Sequence, residues 1–158
     1  MLQQILGEHE CKVDAKGRVR VPSQILKQLG EMESYHFVVN RGMDKHLNLF
    51  PKSTWDVLSA KVQKLNKFVK KNMQFIRFFF RGATPVSTDS SDRILIPKSL
   101  LEYAGIGKEV VLFAHSDRVE IWAKENYHGF LDEEPENYAD IAEEVMGDID
   151  FNDEPPQV

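Results

Sequence analysis

The segment VDAKGRVRVPSQIL, Val13 to Leu26, returns 75 residues further on as TDSSDRILIPKSLL, Thr88 to Leu101. Asp14 matches Asp89, Arg18 matches Arg93, Pro22 matches Pro97 and Leu26 matches Leu101, while Val19 and Val21 are answered by Ile94 and Ile96. Gly30 and Gly105 extend the match. It resumes at Leu49-Phe50-Pro51-Lys52 against Ile121-Trp122-Ala123-Lys124, and at Trp55 against Tyr127. A unit of roughly 45 residues buries too little apolar surface to be stable alone, so two copies, or two chains, are expected to interlock around one core as a small closed barrel.

Within a copy the local chemistry is plain. Cys11 to Asp14 and Val19 to Val21 are β-type runs joined by the polar Asp-Ala-Lys-Gly segment, which predicts strand, tight turn, strand. Pro22 opens a short stretch with Ile25, Leu26 and Leu29 inside it and Gly30 past its end, the pattern of proline at the first helical position and glycine beyond the last. The second copy repeats this from Pro97 to Gly105. Two further strand pairs follow, Tyr35 to Asn40 with Leu47 to Phe50, and Val110 to Ala114 with Val119 to Trp122.

Between the copies, Trp55, Leu58, Val62, Leu65 and Val69 fall at helical spacing, and Lys61, Lys64, Lys67, Lys70 and Lys71 occupy other positions. The spacing predicts one long helix or two short ones broken near Asn66. The run ends in Phe75-Ile-Arg-Phe-Phe-Phe80, a larger apolar load than one face needs, which points to packing on two partners, one of them another subunit. After the second copy, Tyr138, Ile141, Ala142, Val145 and Met146 predict a short amphipathic helix from about Glu136 to Met146. The layout expected is a first repeat at 7–54, a linking helical segment at 55–82, a second repeat at 83–126 and an acidic tail at 127–158, partly helical or disordered.

Charge divides the chain. Through Arg81 there are 15 Lys and Arg against 7 Asp and Glu; from Ala83 onward there are 5 against 18, of which eleven lie in Asp132 to Val158 without a single cation. The net charge of -5 therefore hides a basic body, suited to polyanions, behind an acidic tail. Such a tail either stays solvated or imitates nucleic acid and folds back on the basic surface. No apolar run reaches the length of a membrane span, and no secretory signal is expected from MLQQILGEHE. One cysteine, Cys11, makes no intramolecular disulfide. His9, His36, His46, His115 and His128 lack metal-ligand spacing, and neither a phosphate-binding loop nor a nucleophile motif occurs. An enzyme is not expected, nor a catalytic residue, metal, cofactor or small-molecule substrate.

Asp14-Ala-Lys-Gly-Arg18 followed by Val21-Pro22, its second copy from Asp89 to Pro97, and Tyr103-Ala-Gly105 with Glu120-Ile-Trp122 resemble the MraZ family of bacterial transcriptional regulators over about Leu2 to Gly129. The resemblance implies an α+β, mainly β fold: two tandem SpoVT-AbrB half-barrels with swapped hairpins, interlocked about a pseudo-twofold axis. It also implies a cytoplasmic, nucleoid-associated homo-oligomeric ring, such as an octamer, that binds repeated double-stranded promoter sites of the division and cell-wall gene cluster. On that pattern Arg18 is the principal DNA contact, Lys16 a phosphate contact, Gly17 the point of close backbone approach and Arg20 an auxiliary on the same strand face. Asp14 and Asp89 structure the two turns. Arg93 is the weaker contact, because Ser91 and Asp92 replace Lys16 and Gly17 and leave the second loop unfavourable to phosphate; Arg93 is expected mainly to pair with Asp89 or Asp92. The rival readings are an oligomeric protein-binding scaffold and an antitoxin-like module.

Overall fold

The structure is a computed structural model that describes residues 4–131 and 137–147. The first copy runs β1 (Gly7–Lys12), β2 (Arg18–Arg20), α1 (Ser23–Leu26) with a 3-10 turn (Lys27–Leu29), β3 (His36–Arg41), β4 (Leu47–Pro51), α2 (Lys52–Gln63) and α3 (Lys70–Phe80). The second runs β5 (Thr84–Ser87), β6 (Arg93–Leu95), α4 (Lys98–Tyr103), β7 (Glu109–His115), β8 (Arg118–Ala123), α5 (Lys124–Leu131) and α6 (Tyr138–Met146). It is an α+β fold in which the same succession of elements occurs twice.

The copies interlock by exchanging their first strands. β1 of the first copy pairs antiparallel with β7 of the second, from Gly7↔Ala114 to Lys12↔Glu109, and β5 of the second pairs with β3 of the first, from His36↔Ser87 to Val39↔Thr84. The hairpins β3–β4 and β7–β8 meet at β4–β8, giving one six-stranded sheet in the order β1-β7-β8-β4-β3-β5, while β2 and β6 form a two-stranded ribbon. In the ribbon Val19 pairs with its own counterpart Ile94, and in the large sheet Asn48 pairs with its counterpart Glu120. A pseudo-twofold axis thus passes through both pairs, and the two copies complete one barrel as their size requires.

Inside, Val19, Ile94, Phe37, Val39, Leu47, Leu49, Val110, Leu112, Val119 and Ile121 form a single core, nearly all fully buried. The outer face of the sheet carries two further clusters. Val38, Phe50 and Trp55 pack under α2 and α3 with Phe79 and Phe80, and Val111 and Trp122 pack with Tyr127 of α5. β3 and β7, each paired with a strand on both sides, are therefore largely buried on both faces and read as apolar runs without alternation.

Two expectations shift in detail. Pro22 and Pro97 stand one position before the first helical residue, with ψ of 139° and 141°. There the proline carbonyl accepts the first intrahelical bonds, from Ile25 and Leu26 and from Leu100 and Leu101, and its missing N–H costs nothing. The first strand begins at Gly7 and ends at Lys12, since only Val13 bridges onward, to Val19. The break near Asn66 is present: its side-chain oxygen accepts the Phe68 N–H at 3.0 Å and its carbonyl accepts from Asn72 Nδ2 at 3.0 Å, turning the chain between α2 and α3. Most of the tail from 132 lies outside the described residues; the part that is described holds α6, close to the span expected.

Candidate nucleic-acid interface

The two turns are built by one device used twice. Asp14 Oδ1 accepts the backbone N–H of Lys16 at 3.0 Å and of Arg18 at 2.8 Å, and its Oδ2 accepts Arg18 Nε at 2.7 Å. Asp89 does the same with Ser91 at 2.9 Å, Arg93 at 3.0 Å and Arg93 Nε at 3.0 Å. The backbone N–H donated by Arg18, joined by that of Lys16 and by the guanidinium, holds the Asp14 carboxyl below the usual aspartate range against a smaller opposing effect of desolvation; Asp89 is lowered in the same way, first by the N–H of Arg93. Arg93 pairs with Asp89, as its sequence context suggests, but Arg18 pairs with Asp14 no less closely. Because both bonds leave from Nε, and no hydrogen bond among the described residues engages the Nη groups, each guanidinium keeps its terminal fork for another partner.

Residue 17 must turn left-handed, and Gly17 does so at φ 87°; Asp92 occupies the matching position at φ 60°. A Cβ on Gly17 would stand 3.1 Å from the Ile96 carbonyl and 3.3 Å from Leu101, so the glycine also admits the other copy's backbone. That backbone is bonded reciprocally. Ile96 donates its N–H to the Gly17 carbonyl at 3.0 Å, and Val21 donates to the Asp92 carbonyl at 2.8 Å, so each turn is tied to the other copy's strand.

The ribbon between the turns sets the side chains. Val19 and Ile94 are fully buried, so alternation puts Arg18, Arg20, Arg93 and Leu95 together on the opposite, outward face. Arg18 stands opposite Leu95, and Arg20 opposite Arg93. The row nearest the first turn thus holds one arginine, with Lys16 close by, and the row nearest the second turn holds two. Arg20 brings to the acidic second loop the positive charge that its own copy lacks. Sequence reading grouped Arg20 with Arg18 and did not pick out Leu95; the signal that would have found both is the repeat itself, since self-pairing of Val19 with Ile94 fixes every neighbour across the ribbon.

No three His, Cys, Asp or Glu side chains gather as metal ligands would among the described residues. Burial pushes the Cys11 thiol up, away from a reactive thiolate. His46 is buried, stacked on Trp122 at 4.6 Å between ring centres, with Nε2 3.2 Å from Asn48 Oδ1. No helix among the described residues is long and apolar enough to cross a membrane.

Fold and turns together define a tandem-repeat, swapped-hairpin barrel that presents an arginine-bearing two-stranded ribbon. The family model described as "MraZ protein, putative antitoxin-like" matches the chain twice, over residues 5–78 and 79–149, and the chain belongs to the MraZ family. It is 46% identical over 149 residues to a protein of Christiangramia forsetii named Transcriptional regulator MraZ, covering 94% of this chain and 96% of that one. Proteins of the same name from Flavobacterium psychrophilum and Ligilactobacillus salivarius are each 42% identical, over 92% and 93% of this chain and 93% and 98% of theirs.

Proposed function

We propose that the protein is a transcriptional regulator that binds double-stranded promoter DNA through the outward face of the β2–β6 ribbon and its two turns. The observation that carries this reading is the gathering of Arg18, Arg20 and Arg93 on one exposed face, the two turn arginines with terminal nitrogens uncommitted. A two-stranded ribbon has the width of the major groove, and an arginine fork fits guanine O6 and N7 or a phosphate. Gly17 lets the first turn approach the duplex, and Lys16 adds a phosphate contact without sequence preference. Relatives named transcriptional regulators support the same reading.

A single ribbon makes few contacts, so repeated promoter sites and several subunits together supply the affinity. The helices favour such self-association. α3 leaves Phe75 and Phe78 40% and 44% exposed, and α6 leaves Tyr138 and Val145 71% and 66% exposed, apolar surface that a contact between subunits would cover. Residues 61–81 carry seven Lys and Arg and no carboxylate, whereas α6 carries Asp140, Glu143 and Glu144. Basic α3 of one subunit against acidic α6 of the next is a head-to-tail contact, which closes into a ring when the rotation permits. The assembly acts in the cytoplasm on the nucleoid, at promoter sites of the division and cell-wall genes, by occluding transcription. Those same exposed helices also favour the scaffold reading. Salt separates the two: binding to promoter DNA must fall steeply between 50 and 200 mM salt, with a log–log slope of about -0.9 per phosphate neutralised, whereas salt-insensitive or absent DNA binding would leave the scaffold.

A further inference from the structure

We propose that the cleft between the first turn and the start of α5 is a binding site for an organic phosphate, and that its occupation weakens the hold of the first turn on DNA. The site stands on its own geometry; its effect on DNA rests on the binding reading above.

The cleft has a volume of about 1000 Å³, enough for a molecule of nucleotide size, and three parts of the chain wall it. Asp14, Ala15 and Gly17 bring the first turn, Gly107 and Lys108 the loop before β7, and Ala123 to Asn126 the start of α5. Val13 donates its N–H to the Lys108 carbonyl at 2.8 Å, so the loop is bonded to the residue that precedes Asp14.

The first copy provides an internal comparison. Its matching cleft, between the loop before β3 and the start of α2, holds about 500 Å³, and the second turn is not among its walls. The loop from Gly30 to Tyr35 is two residues longer than that from Gly105 to Lys108, and it contributes Met32 to the cleft where the second copy contributes Gly107. The lysines have no counterpart either. Thr88 bonds the Tyr35 carbonyl as Val13 bonds that of Lys108, and Ser87 pairs with His36 as Lys12 pairs with Glu109, so Tyr35 and Ser87 stand in place of Lys108 and Lys12. The cleft of the second copy is thus both wider and more basic.

Its uncommitted charge is positive. Asp14 is held by Arg18, and Lys124 Nζ lies 3.5 Å from Glu10 and 3.7 Å from Glu109. Lys12 and Lys108 have no ion pair among the described residues, and of the carboxylates in the walls Glu125 alone is likewise unpaired among them. Ammonium groups bind phosphate as point charges, while Val13, Ala15, Leu101 and Ala123 offer apolar surface to the rest of the molecule. A phosphate bound there sets negative charge beside Asp14 to Gly17, where the duplex phosphates must also approach. Ligand and DNA therefore oppose each other, each weakening the other by the same factor.

The probe is ADP, at fixed ionic strength and without divalent metal. Calorimetric titration of the full-length protein tests the site, and promoter titration by fluorescence anisotropy with and without ADP tests its effect. One ADP per chain is expected to bind, about ten-fold more weakly in Lys108→Gln and not detectably in Gly107→Met. The methionine fills the cleft as Met32 does without changing charge, and residue 107 admits it, because a Cβ there meets no atom within 4 Å. Saturating ADP is expected to lower wild-type promoter affinity about five-fold and to leave that of Gly107→Met unchanged. Absence of ADP binding overturns the inference, as does undiminished binding by Gly107→Met, which would put the nucleotide on the ribbon arginines. Loss of promoter affinity in Lys108→Gln without ADP would make that lysine a duplex contact and overturn it too. ADP binding with the stated losses, in a protein that does not bind promoter DNA at any salt concentration, would uphold the site and overturn the DNA reading.

Discussion

Arg20 and Arg93 face each other directly across the antiparallel β2–β6 ribbon, although they come from different copies of the repeat and neither lies beside the other in sequence. Like charges in that relation repel, and the arrangement weakens the ribbon it decorates. A face that costs the fold something and places positive charge outward is expected to do its work on a polyanion.

Removing one of the pair should therefore separate stability from function. Arg20→Ala is expected to leave chemical denaturation within about 0.5 kcal/mol of the native protein, or slightly above it, while lowering promoter affinity and reducing the magnitude of the salt slope by about 1. Denaturation melts and salt-dependent titrations on the same preparation check both halves.

Gly17 and Asp92 hold equivalent left-handed positions with unlike side chains. Gly17→Ala should destabilise the barrel by about 1–2 kcal/mol, since it combines the positive-φ penalty with a Cβ pressed toward the Ile96 carbonyl. Asp92→Gly should be close to neutral in urea unfolding, within about 1 kcal/mol. Equal losses in the two variants would contradict the close approach assigned to the first turn.

Acid should act on both turns together. Asp14 and Asp89 are lowered in the folded chain, chiefly by the N–H groups of Arg18 and Arg93, so their stabilisation is fully present above the unfolded aspartate value of about 3.9 and is lost as pH falls through the lower folded value. Slowed exchange of the Arg18 and Arg93 amides should persist through the ordinary carboxylate range and disappear only below it. Asp14→Ala, which removes the acceptor oxygens, should lose the protection of Arg18 at neutral pH while leaving that of Arg93 intact.

The helical contact between subunits is tested by charge. Phe78→Asp on α3 or Val145→Asp on α6 should each lower the mass seen by light scattering, whereas salt should weaken the wild-type assembly without dissolving it, because apolar surface is buried along with the ion pairs.

Much of this architecture was legible in the chain. Asp14 and Arg18, returning as Asp89 and Arg93, gave both turns; Pro22, Gly30 and their counterparts bounded the short helices within a residue; and Asn66 marked the break in the linking segment. These are local signals, set by φ preferences and by side chains that bond their own backbone. Strand partners are a different matter. The interlocking of the two copies with swapped hairpins was expected from the repeat and the resemblance, but three-residue strands such as Arg18–Arg20 carry an alternation and no address, so the meeting of Arg20 with Arg93 follows from register, which tertiary packing decides. α5 was hidden for another reason: Lys124–Leu131 contains Gly129 and matches α2 chiefly at Tyr127. His46 was equally silent, since nothing in its neighbours announces that it will stack on Trp122.

The central claim is that the ribbon's arginines bind promoter DNA. The most direct measurement is fluorescence anisotropy of the protein and of Arg18→Ala against its own upstream promoter duplex and a scrambled duplex, at two salt concentrations. Tight, salt-sensitive binding that prefers the promoter and collapses in the variant, with the melting curve unchanged, is the predicted result. Equal weak binding of both duplexes by both proteins would contradict it.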